Sequence, residues 1–225
     1  MRSLPKRKRR PMKSLPLSLQ QQVKDHIREW RNCERCELSA HRNNVVFLRG
    51  QVPCDVLFVG EGPGESEDVH GQPFVGPAGI LLDEIIEESG MIQSGLRFAI
   101  TNVIGCIPKS EEGVKLKDPK QWSHHLNECI NKIQQLYSIL DPRAVVCVGA
   151  TASNRVIVDS SNKPMKSDKY LRLKGDKLTA DIIHPSAILR APELNKGLLT
   201  HQAVVTLKDL IDSLLSGEKP KAEPF

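Results

Sequence analysis

Three stretches and one set of cysteines carry side chains able to do chemistry. The first stretch is GEGPGESEDVHGQPFVGPAGILLDE, residues 60–84. Gly60, Gly62 and Gly64 let a backbone bend sharply and approach a ligand. Glu61, Glu65, Glu67 and Asp68 supply carboxylates, and Phe74, set in a Gly-Gln-Pro-Phe-Val-Gly turn, offers an aromatic face to a planar base. The stretch is not a triphosphate loop, because it lacks the Lys-Ser/Thr of that signature and its acidity would repel the phosphates. The second is Thr101-Asn102, where the asparagine amide brings one acceptor and two donors. Such a pair can read the N–H and C=O edge of a base and reject one with the reversed pattern. The third is His184-Pro185-Ser186-Ala187-Ile188-Leu189-Arg190, in which a histidine can support an anionic leaving group while Ser186 and Arg190 hold phosphates. Each stretch taken alone also suits a plain structural role: a glycine turn between strand and helix, an asparagine closing a turn, a histidine at a strand end.

The chain has six cysteines. Cys33 and Cys36 form a CxxC, whose thiolates converge across a tight turn and can clamp one edge of a metal or cluster. Cys106 and Cys129 complete a set of four, the number that closes either a zinc or an iron–sulfur site. The spacing does not choose between the two. Cys147, within an apolar run, and Cys54, just before another, read as small core residues.

These groups need elements to position them. Residues 18–31 read as a helix leading to Cys33. DVLFVG (55–60) reads as a buried strand entering the glycine-rich turn, and residues 76–89 as a helix with Gly90 as its stop. FAITNVIG (98–105) is a second buried strand, with Cys106 at its end; 107–120 is a polar loop and 121–140 a long amphipathic helix containing Cys129. AVVCVG (144–149) is a third strand, from which residues 149–157 start a helix; 158–178 is a polar loop or hairpin, TADIIHP (179–185) a fourth strand, and 200–216 a closing helix. Strands alternating with helices predict a parallel sheet covered on both faces, with the ligand off the carboxyl ends of the strands. Glu61, Asn102 and His184 all fall near those ends.

The length of 225 residues suits one α/β domain, expected over 17–216, with a basic disordered arm at 1–16 and a flexible tail at 217–225. Net charge is +5, which accords with a polyanionic partner, whereas the 4% of aromatic residues argues against a pure single-strand binder built on stacking platforms. No run of about 18 apolar residues appears, so no membrane span is expected. The start MRSLPKRKRR has no apolar stretch after it and is not a secretory signal. A cytoplasmic, reducing location is expected, which favours metal or catalysis over disulfides for the cysteines.

Taken together, CERCELSAHRNNVVFLRG (33–50), GEGPGESEDVHGQPFVGPAG (60–79), TNVIGC (101–106), Cys129 within a helix, VVCVGATA (145–152) and HPSAILR (184–190) resemble the family-four uracil-DNA glycosylases, the iron–sulfur members of that superfamily. The resemblance runs from about residue 20 to residue 212 with every motif in order. It implies a three-layer αβα sandwich with a central four-stranded parallel sheet, and a 4Fe-4S cluster on Cys33, Cys36, Cys106 and Cys129. It implies hydrolysis of the N-glycosidic bond of deoxyuridine in DNA that contains uracil; a monomer is expected. Phe74 would stack on the flipped uracil, Asn102 read its edge, His184 stabilise its O2, and Glu61 place water or base, with Glu67 and Asp68 as second choices for the water. Gly62, Ser186 and Arg190 complete the expected substrate contacts. Gly62 stands where the family more often has Ala, Pro77 where many members have Arg, and the loop between Cys106 and Cys129 is longer than usual. A branch that stays covalently attached to DNA through a loop histidine shares some motifs; its Lys-Arg-Arg-Ile-His loop is absent here, though His124 and His125 lie in that region. The alternative expectation is a catalytically inactive glycosylase fold serving as a DNA-binding or replication accessory.

Overall fold

The computed structural model describes residues 17–110, 112–114, 116, 123–156, 171–174 and 177–217. The expected basic arm at 1–16, and all of the expected tail but Gly217, lie outside the described residues, as does most of the second half of the 107–120 loop.

Four strands form the middle of the sheet: β2 (Val56–Gly60), β3 (Phe98–Asn102), β4 (Ala144–Val148) and β6 (Lys177–Ile182). They lie in the order β3-β2-β4-β6 and all pair in parallel. The four-stranded parallel sheet expected from the sequence is present, and each edge carries one more strand running antiparallel. β1 (Leu48–Gly50) pairs with β3, and β5 (Leu171–Lys174) with β6. β3 ends at Asn102, earlier than the expected 105, so Cys106 sits in the bend beyond the strand.

Alternate strand residues feed two separate cores. Val56, Phe58, Ile100, Val146 and Ala180 pack with Leu82, Ile85 and Ile86 of α3 (Pro77–Glu88) and with Val204, Leu207 and Leu210 of α7 (Glu193–Ser216). Leu57, Val59, Ala99, Val145 and Cys147 face the other way, toward Val23 and Trp30 of α1 (Leu19–Trp30), Leu126, Ile133 and Leu136 of α4 (Ser123–Leu140), and Ala152 of α5 (Ala150–Val156). Strands apolar on both faces are what a sheet covered by helices on both sides requires. The result is a three-layer αβα sandwich. Cys54 and Cys147 are buried in the second core, as expected of structural residues.

Two short helices complete the fold near the strand ends: α2 (Glu65–His70) and α6 (Pro185–Arg190). The closing helix begins at Glu193 rather than 200, because its first turns leave Leu194 and Leu198 in solvent and so show no apolar stripe. The chain leaves β2 for β3 on one side, and β4 lies on the other side of β2. A crevice opens at such a reversal of direction.

Candidate active site

A cavity of about 650 Å³ occupies that crevice. Its wall contains Glu61, Gly62, Phe74, Asn102, His184, Ser186 and Arg190, so the fold gathers every substrate-side residue singled out in the sequence. Gly60 and Asn102 are register partners at the ends of β2 and β3. A Cβ on Gly60 would strike both the Asn102 amide oxygen and the Phe74 ring, which is why the strand must end in glycine here. Asn102 is 1% exposed, and its Oδ1 has no hydrogen-bond partner among the described residues. Burying a polar atom without a partner is costly. This one borders a cavity where a ligand N–H can satisfy it.

Phe74 holds a left-handed backbone, φ 55°, which costs a bulky residue energy that its surroundings must offset. Those surroundings are specific. Glu67, barely exposed, accepts hydrogen bonds from the N–H groups of Gly64 at 2.9 Å, Val75 at 3.0 Å and Gly76 at 2.9 Å, tying the start of the glycine-rich loop to the Phe74 turn. The Phe74 ring then lies 5.8 Å from the His184 ring, centroid to centroid, at 30°. Asp68 is fully buried and is taken up by the N–H groups of Asn43 and Asn44 and by the Asn43 amide. The two carboxylates ranked behind Glu61 are therefore engaged in holding loops. Glu61 Oε2 instead accepts a 2.5 Å hydrogen bond from the Thr151 hydroxyl, at the start of α5. Thr151 was not singled out in the sequence, although it lies in the VGATA run that contributed to the resemblance.

His184 is the N-cap of α6, with Pro185 in the first helical position. Its Nδ1 accepts the Ser186 N–H at 3.1 Å, and the Ser186 hydroxyl lies 2.9 Å away. Burial, with Arg190 adding to it, lowers its pKa to about 4. At neutral pH the ring is uncharged, and with Nδ1 accepting, its proton sits on Nε2. Ser186 thus acts on the histidine. Arg190, in the last turn of α6, is exposed at the cavity mouth.

The four cysteines are neighbours in the fold. Cys33 follows α1, Cys36 caps the 3-10 turn Glu37–Ala40, Cys106 lies in the bend after β3, and Cys129 is on α4. Cys36 and Cys106 both feel Cys129 electrostatically, and Cys36 also feels Cys33. Burial pushes the Cys106 thiol up to about 12 and also raises Cys36. Such thiols do not ionise unaided; a bound metal supplies the missing stabilisation. Two basic side chains adjoin them. Lys132 is 2% exposed, and Arg42 is half-buried, with a buried Nη1 that has no hydrogen-bond partner among the described residues. Neutral thiols leave these charges uncompensated, whereas thiolates on an anionic cluster balance them. The four sulfurs are not gathered to within 4.8 Å of one another. A single tetrahedral zinc, with Zn–S of about 2.3 Å, would need them roughly 3.8 Å apart.

A sequence model for the uracil DNA glycosylase superfamily matches residues 28–208 of this chain. A type-4 uracil-DNA glycosylase from Thermotoga maritima is 34% identical over 71% of this chain and 79% of its own. The chain belongs to the type-4 family of the uracil-DNA glycosylase superfamily. Another type-4 relative, from Pyrobaculum aerophilum, is 33% identical over 73% of this chain and 83% of its own; one from Archaeoglobus fulgidus is 29% identical over 76% and 85%. The superfamily match begins within α1 and ends within α7, so it takes in both the crevice and all four cysteines. Among the described residues, no helix of this family member is long and apolar enough to cross a membrane.

Proposed function

We propose that this chain is a uracil-DNA glycosylase, hydrolysing the N-glycosidic bond of deoxyuridine in DNA to release uracil. The observation that carries the reading is the unpartnered Asn102 Oδ1 on the cavity wall. Uracil N3–H is the donor it lacks, and the Asn102 amide N–H donates to uracil O4; cytosine presents the opposite pattern at both atoms. The base must leave the stack to reach this depth, at a cost of a few kcal/mol. Phe74 takes up its face. As the glycosidic bond breaks, negative charge develops on uracil and positive charge on the sugar. The neutral His184 donates its Nε2–H to uracil O2, a preorganised donor of the kind that stabilises such anions. Glu61, held by Thr151, positions water and offsets the sugar's charge. Arg190 and the glycine-rich loop face the DNA backbone.

Cys33, Cys36, Cys106 and Cys129 would hold a 4Fe-4S cluster that supplies structural closure of three chain segments. The buried Lys132 and the buried Nη1 of Arg42 support that choice, since anionic neighbours would partner both. We take the protein to act as a monomer in the reducing cytoplasm. An inactive accessory fold would have no use for an unpartnered Asn102 beside an oriented His184.

The test is strand cleavage by alkali after incubation with a uracil-containing oligonucleotide. Wild-type protein should produce breaks at uracil, and His184→Ala and Asn102→Ala should lose them. Folded, DNA-binding wild-type protein that yields no breaks would sink the reading. Iron and sulfide analysis decides the cofactor: iron with equal sulfide supports the cluster, and zinc without iron overturns it.

A further inference from the structure

Glu37, His124 and His125 meet outside the cavity. Glu37 opens the 3-10 turn that follows Cys36, and the two histidines lie in the first turn of α4, ahead of Cys129. Glu37 Oε1 is 3.1 Å from His124 Nε2, and its Oε2 is 3.8 Å from His125 Nδ1. The three donor atoms all lie within 4.8 Å of one another. The two imidazole rings are 3.6 Å apart, centroid to centroid. Glu37 and His124 are open to solvent, with side chains 58% and 60% exposed, whereas the His125 side chain is 3% exposed.

An exposed ion pair accounts for Glu37 and His124 alone. It does not account for His125 Nδ1, which is buried, turned toward Glu37, and without a hydrogen-bond partner among the described residues. Buried polar atoms are nearly always partnered. A metal ion between the three residues supplies the missing partner.

We propose that Glu37, His124 and His125 form a zinc site separate from the four cysteines. A tetrahedral zinc with Zn–N near 2.0–2.1 Å and Zn–O near 2.0–2.2 Å sets its donor atoms roughly 3.4 Å apart. The 3.1 Å contact is to Glu37 Oε1 and the 3.8 Å contact to its Oε2, and one donor atom from each residue lies within 4.8 Å of the others, so side-chain rotations that draw the three together would close the site. Two imidazoles and one carboxylate form a three-ligand set with a fourth position left to water, and imidazole suits zinc. The exposed Glu37 and His124 give the ion its way in. Once bound, it ties the turn after Cys36 to the helix that carries Cys129, bracing two cysteine-bearing segments from outside. The site stands whether or not the protein excises uracil.

The experiment is calorimetric titration of Zn²⁺ into the full chain as purified, after brief EDTA treatment and with its iron content measured before and after. Wild type should take up one zinc per chain with no loss of iron. Glu37→Gln and His124→Ala, both at exposed positions and checked for fold by circular dichroism, should weaken binding by at least about 10- to 100-fold, the loss seen even for outer partners of metal ligands. No saturable uptake, uptake unchanged by both variants, or uptake matched by iron loss would each overturn the proposal; the last would mean zinc entering the cysteine site.

Discussion

The Lys132 Nζ lies 3.4 Å from the backbone carbonyl oxygen of Asn102, inside the molecule. The same lysine feels Cys129, Cys106 and Cys33, while burial lowers its pKa. One buried amine therefore touches the strand end that carries the Asn102 amide and faces the cysteines. Lys132→Met leaves the cysteine centre without this buried counter-charge, and losing one partner of a buried pair costs about 3–5 kcal/mol, so the variant should be folded but less stable, as checked by circular dichroism and urea unfolding. Its single-turnover rate on uracil should fall about tenfold, a change of ~1.4 kcal/mol. An unchanged rate in a folded variant would make the contact incidental.

Asn102→Asp replaces the amide donors with a second acceptor that repels uracil O4. Excision of uracil should drop roughly 10- to 100-fold, as expected when about 1–3 kcal/mol of matched hydrogen bonding is lost. The uracil-to-cytosine ratio should narrow with it. A variant with full uracil selectivity would remove Asn102 as the reader.

His184 makes two separable predictions. His184→Ala should cost roughly 10²–10³ in kcat, the loss typical of one preorganised donor. The pH dependence follows from its lowered pKa of about 4. The unfolded chain binds the proton near 6.5, so between about 6.5 and 4 it holds more protons than the native state, and stability falls as pH drops through that window. Buried His26, lowered to about 4 chiefly by burial, acts in the same direction. Wild type should lose melting temperature steadily from pH 6.5 to 4, and His184→Gln and His26→Gln should each flatten part of that slope. Above pH 6.5 neither group should contribute any slope.

Thr151→Val removes the hydroxyl that holds Glu61. The expected result is a kcat reduced about tenfold or more, since hydrogen bonds to charged groups contribute about 1.5–3 kcal/mol, with KM little changed. Glu61→Gln should lose more than Thr151→Val, and the double variant no more than Glu61→Gln alone. Additive losses would separate the two residues.

Glu67→Ala should behave as a stability mutation first. It strands the buried N–H of Gly76 and the part-buried N–H groups of Gly64 and Val75, and a buried donor left unmade costs about 1–3 kcal/mol. Urea unfolding should show a loss of about 2 kcal/mol or more. A loss below about 1 kcal/mol would mean that the Phe74 turn is held by other contacts.

The four parallel strands were legible because β2 and β4 are continuous apolar runs and β3 and β6 are largely apolar segments, each ending in a turn, and the cavity residues because they sit at those ends. What was not legible depends on partners distant in sequence. β1 and β5 have no apolar run of their own and exist by pairing with β3 and β6. α2 is six residues long, with Glu67 reaching back to the Gly64 N–H at its start. Thr151 meets Glu61 across 90 positions, and Lys132 meets Asn102 across 30. The partnership of Glu37 with His124, 87 positions apart, is likewise invisible to any local pattern.

The polar residues of the crevice stand on four neighbouring strand ends, Asn102 on β3, Glu61 after β2, Thr151 after β4 and His184 after β6. Adjacent strands are locked about 4.8 Å apart by backbone hydrogen bonds, so the distance between these stations comes in fixed steps that no side-chain substitution alters. The irregular turn carrying Phe74 is under no such restriction. Lineages that came to prefer a different damaged base would then differ from this chain mainly in that turn and at the tips of the four strands, with the strands themselves left as they are.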